Sequence, residues 1–126
     1  MKAPAGFRAG KTYASYRPKR QVTFQGAIDL IAAGISFARE NRIGRLLVDG
    51  TKLTGFGPPD TVEGFRMAVQ FVSAADSRVK VALLARAELI DPDRFGVTVA
   101  RNRGLLVDVF ESEADALAWL LNPEAA

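Results

Sequence analysis

The chain has 126 residues, 48% of them apolar and 25% charged, which fits one globular domain able to bury a core of its own. It contains neither cysteine nor histidine. That excludes disulfides, thiolate metal sites, cysteine nucleophiles and every Ser-His-Asp or Cys-His arrangement. Carboxylate or lysine chemistry and oxygen-ligand cation sites remain open, but the expectation is a protein that is not an enzyme, with no cofactor and no metal.

The net charge is +3, from 17 basic and 14 acidic residues. Lys2, Arg8, Lys11, Arg17, Lys19 and Arg20 put part of the excess near the start. That bias is too mixed to mark a nucleic-acid footprint. No run approaches the ~20 apolar residues of a membrane span, and residues 1–10 lack the apolar core of a signal peptide. The expected location is cytoplasmic.

Residues 1–10 are rich in Gly, Ala and Pro and read as a flexible arm. Residues 11–17 alternate and read as an edge strand ended by Pro18. Thr23 can cap a helix over about 24–42, whose Phe24, Ile28, Ile31, Ile35 and Ala38 recur at helical spacing. Arg45–Asp49 is a short apolar strand, and a loop rich in Gly and Pro runs from Gly50 to Pro59. Asp60 with Glu63 forms a capping box for a helix over about 61–76, with Val62, Phe65, Val69 and Val72 on one face. Val79–Ala85 is the most apolar strand and is expected at the centre of the sheet. Asp91-Pro92 is a helix start, with Gly104 as the stop. Leu105–Phe110 is a further strand. Ser112 caps a last helix, with Ala114, Leu117, Ala118 and Leu121 facing the core and Asn122-Pro123 as the stop. Short loops between strands and helices predict an α/β domain over 11–122 with a mostly parallel sheet of four to five strands and right-handed crossovers.

The element order, Leu46-Leu47-Val48-Asp49, the long loop before the capped helix at 60, and Val107-Asp108-Val109-Phe110 followed by Ala116-Leu117-Ala118-Trp119-Leu120 resemble a STAS domain. The likeness is to bacterial proteins related to the sporulation anti-sigma factor antagonist, and it covers about residues 11–122. The resemblance implies a non-catalytic module for protein–protein interaction with a regulatory role. Partners in that family dock around the helix after the second core strand, which often opens with Asp-Ser-Ser-Gly and is phosphorylated on serine. Here the segment reads Gly57-Pro58-Pro59-Asp60-Thr61. Thr61 is the one hydroxyl at that helix start and so the candidate phosphoacceptor; read from the residues alone, Asp60 and Thr61 are capping residues.

Three candidate sites follow. The second face of helix 61–76, carrying Met67, Phe71 and Ala74, is the preferred partner surface, together with Phe56 on the loop before it and Thr61; a symmetric homodimer is its simplest form. The crevice at the carboxyl ends of the strands is the alternative. There Asp49, Lys52 and Arg86 could hold a small ligand, apolar or anionic, near Phe56. Gly55-Phe56-Gly57 is not a Walker loop or a dinucleotide fingerprint. Trp119 is assigned to packing near the chain end.

Overall fold

The computed structural model describes residues 2–123. In chain order its elements are β1 (Phe7–Ala9), β2 (Ala14–Tyr16), β3 (Arg20–Gln21), α1 (Phe24–Glu40), β4 (Arg45–Asp49) and β5 (Leu53–Thr54). There follow α2 (Thr61–Ala75), β6 (Lys80–Leu84), a 3₁₀ turn (Ala87–Leu89), α3 (Phe95–Asn102), β7 (Val107–Phe110) and α4 (Glu113–Leu121). The main sheet has five strands in the order β1-β2-β4-β6-β7, and β3 and β5 form a small parallel pair beside it. Only the β1–β2 pairing in the main sheet is antiparallel. This is the α/β architecture with a mostly parallel sheet that the alternating pattern predicts.

Strand alternation sorts the side chains into two layers. Leu46, Val48 and Val81 pack against α1, α2 and α3, while Leu47 and Ala82 pack against Ala116 and Leu120 of α4. The sheet is therefore sandwiched between three helices on one side and one on the other. Gly34 lets α1 approach the sheet closely: a Cβ there would come within 2.6 Å of two ring carbons of Tyr16.

The helix starts follow local chemistry. Thr23 accepts a hydrogen bond from the Gly26 N–H at 3.0 Å. Asp60 and Glu63 close a reciprocal capping box, at 2.8 and 3.0 Å. Ser112 caps α4. Asp91 behaves differently from the expectation. Its carboxylate accepts from the N–H groups of Asp93 and Phe95, which closes a turn, and α3 opens only at Phe95 after Arg94 takes a left-handed conformation (φ 51°).

Four further sequence expectations need correction. Residues 7–9, read as part of an arm, form edge strand β1, so the strand at 14–16 is internal rather than an edge. The loop 50–59 contains β5. In α4 the buried positions are Ala116 and Leu120, not Ala114, Leu117, Ala118 and Leu121. Trp119 sits half-buried against Phe110, with ring centroids 5.7 Å apart, and the Lys80 ammonium lies 4.5 Å above its ring. In α2 the faces are exchanged: Gly64, Ala68, Phe71, Ala74 and Ala75 are buried, while Val62 and Phe65 are 59% and 41% exposed. Both faces of this helix are apolar, so spacing alone could not choose between them. The small residues decide, because only that side lets α2 approach α1 and α3 closely.

The open edge at β7 is occupied by side chains. Arg101 Nε donates to the Val107 carbonyl and Arg94 Nη1 to the Val109 carbonyl, both at 3.0 Å. The Val109 N–H donates to Asp108. Three of the main-chain groups that could template another strand are thereby satisfied.

Candidate functional site

A cavity of about 370 Å³ opens on the three-helix side of the sheet, at the carboxyl ends of β4 and β6. Its volume falls in the range of small-molecule sites. It is more than twice the ~150 Å³ of an apolar cavity that takes up benzene. Ile28 and Ile31 come from α1, Met67 and Phe71 from α2, Leu83 from β6 and Leu53 from β5. Phe24 and Phe56 close one side, packed edge-on with centroids 5.8 Å apart. Leu89 and Ile90, at the end of the 3₁₀ turn, close the other. Gly55, at φ 104° and backed against the Val22 carbonyl, sets the path of the loop that carries Phe56.

Only four lining residues carry polar side chains: Asp60, Thr61, Asp91 and Arg94. All four are exposed, so they mark the rim, and the other lining residues carry apolar side chains or none. Gly64 also lines the cavity from the first turn of α2. It is buried, yet apart from its chain neighbours and the backbone of its own helix no atom lies within 4 Å of the position a Cβ would take.

The sequence-derived candidates are regrouped by this geometry. Phe56, Thr61, Met67 and Phe71, read from sequence as a partner surface, all line the cavity. Phe71 is only 4% exposed, so it cannot present an outer face. The outer face of α2 is instead Val62, Phe65 and Val69. Thr61 is the first residue of α2, beside Asp60 and Glu63, so a phosphate there would meet two carboxylates at an already capped helix end.

Asp49, Lys52 and Arg86 do not come together and do not line the cavity. Asp49 is 6% exposed, and strand alternation turns it, like Leu47, toward α4. There it accepts from the Thr51 N–H at 2.9 Å and from the Thr51 hydroxyl, and pairs with Arg17 at 3.2 Å. Arg17 also binds Glu113 of α4 at 2.6 Å. Burial pushes the Asp49 pKa up, but the hydrogen bonds from Thr51 and the guanidinium of Arg17 outweigh it, leaving the carboxyl below its ordinary value. The hydrogen bond to Glu113, joined by the two nearby carboxylates, raises the Arg17 pKa against the effect of burial. This group ties β2, β4 and α4 together. Lys52 is exposed. Arg86 turns to the Leu53 carbonyl at 3.3 Å and to Glu88 at 3.6 Å.

Sequence reasoning missed most of the cavity wall. Ile28 and Ile31 read as an ordinary apolar helix face, Asp91 reads as a cap, and Leu89 and Ile90 fall between the predicted strand and helix with no role. Two signals were available: a helix apolar on both faces, and a glycine at position 64 at the start of one apolar stripe.

Among the described residues no helix is long and apolar enough to cross a membrane, and no group of three or more acidic side chains gathers as a cation site. No protein-family model, curated protein or solved structure matches this chain.

Proposed function

We infer that the protein binds a small apolar molecule in the cavity between α1, α2, α3 and the sheet. The observation that carries this reading is the space of about 370 Å³, lined mostly by apolar side chains and held open beside Gly64. A glycine in a helix costs about 1 kcal/mol relative to alanine. Nothing in the packing around Gly64 demands it, since a Cβ would meet no neighbour within 4 Å. The missing side chain adds to the volume of the cavity, and a bound molecule would use that volume. The crevice at the carboxyl ends of the strands is also where open α/β sheets take their ligands.

Titration with 2-naphthylmethanol, followed by its fluorescence and by protein amide shifts, tests the reading. Saturable one-to-one binding with shifts at Ile31, Met67 and Leu83, lost in a folded Gly64→Leu variant, supports it. Absence of binding by the wild type and by a matched set of naphthyl probes overturns it.

The STAS-like reading, a non-catalytic interaction module with a regulatory role, is favoured by a separate observation. Val62, Phe65 and Val69 form an apolar stripe along the outside of α2. Light scattering of the wild type and of Val62→Glu/Val69→Glu tests its simplest form. A homodimer that the double substitution dissociates supports it, and a monomeric wild type overturns self-association through this face.

A further inference from the structure

The rim of the cavity has a charge character that selects among apolar ligands. Its ionisable side chains are Asp60, Asp91 and Arg94. Helix starts normally attract anions through free N–H groups. Here each helix start at the rim already has one of its N–H groups taken by a carboxylate of the protein itself. Asp60 takes the Glu63 N–H at 2.8 Å, and Asp91 takes those of Asp93 and Phe95 at 3.0 Å. Arg94 is committed to Asp108 and to the Val109 carbonyl. Arg86, the nearest other cation in sequence, points to Leu53 and Glu88 and is not in the lining. A ligand carboxylate would therefore find two like charges, with the one rim cation already neutralised. An ammonium group would find two acceptors with lone pairs to spare, because each aspartate oxygen can accept more than one hydrogen bond.

We propose that the cavity takes a cationic apolar molecule, an aromatic or alicyclic amine, in preference to the matching carboxylate. The hydrocarbon body fills the space between Phe24, Phe56 and Phe71, and the ammonium emerges between Asp60 and Asp91. This rests on the cavity being a ligand site.

Three probes with one hydrocarbon body separate the two ideas: 2-naphthylmethylamine, 2-naphthylmethanol and 2-naphthoate. At low salt the amine is expected to bind about tenfold more tightly than the carboxylate, with the alcohol between them, because each exposed carboxylate contributes modestly through water. The ratio should shrink at high salt. It should also fall toward one in Asp60→Asn/Asp91→Asn, since asparagine keeps the capping acceptor and removes the charge. Equal binding of all three probes, or tighter binding of the carboxylate, overturns the charge preference and leaves the cavity reading intact. Failure of all three to bind overturns both. An amine preference that survives in the double variant assigns the effect to other groups and overturns the role of the rim aspartates.

Discussion

Replacing Gly64 by alanine and then by leucine measures whether the space beside α2 is real and whether it is used. Gly64 sits in the first turn of α2, where its N–H already bonds the Asp60 carbonyl at 2.9 Å. The alanine Cβ meets nothing within 4 Å, so no clash opposes the gain in helix propensity. That gain is about 0.5–1 kcal/mol, which corresponds to an increase in Tm of roughly 2–6 °C for a domain of this size. Leucine adds three further carbons inside the apolar cavity. At about 0.8 kcal/mol per buried methylene, less about 0.5–1 kcal/mol of lost rotamer freedom, the expected total is about 2 kcal/mol above wild type. Urea denaturation followed by circular dichroism gives both values. The leucine variant should be the most stable of the three and should no longer bind the naphthyl alcohol. A Gly64→Leu protein less stable than Gly64→Ala would refute the reasoning, because the side chain would then be meeting packed atoms rather than open space. A stabilised leucine variant that still binds would refute the location of the site.

Three other outcomes follow from the packing and the ion pairs. Gly34→Ala should cost about 1–3 kcal/mol in the same denaturation assay, because its Cβ would overlap the Tyr16 ring and force α1 away from β2. Asp49 has a folded pKa below its ordinary value, so the stability it supplies is complete above about pH 4 and is lost as the pH falls through the lower folded value. Asp49→Asn should therefore lower stability by about 1–2 kcal/mol at pH 6, and the gap from wild type should narrow as the pH falls below about 4; a gap that stays constant on acidification refutes the assignment. Asp29, whose carboxyl is lowered by hydrogen bonds from Gln70 and Gln25, shares the direction and is unchanged in this comparison. Arg94→Ala/Arg101→Ala removes the side-chain donors to the Val107 and Val109 carbonyls on the open edge of β7. Faster amide exchange at 107–110 and concentration-dependent association on heating are expected; a variant that associates no more than the wild type would show that the edge needs no such cover.

Local chemistry made much of this fold legible in the sequence. Hydroxyl and carboxyl residues at 23, 60 and 112 start helices because each accepts a hydrogen bond from an N–H group that the helix itself leaves unpaired. Alternating strand and helix patterns were enough to predict a mostly parallel α/β sheet. The errors fall where two answers have equal local energy. On α2 both faces are apolar, and only contact with α1 and α3 buries the side with Gly64, Ala68 and Ala74 and leaves Val62 and Phe65 outside. At Asp91 the same carboxylate can open a helix or close a turn, and the tertiary position of Arg94 against β7 selects the turn. The cavity belongs to the same class of facts. Its walls run from Phe24 in α1 to Val109 in β7, residues 85 positions apart, and most of their types look like ordinary core. Residue type sets that these side chains leave water. How completely they fill the space they leave it for is decided only when the helices are laid on the sheet.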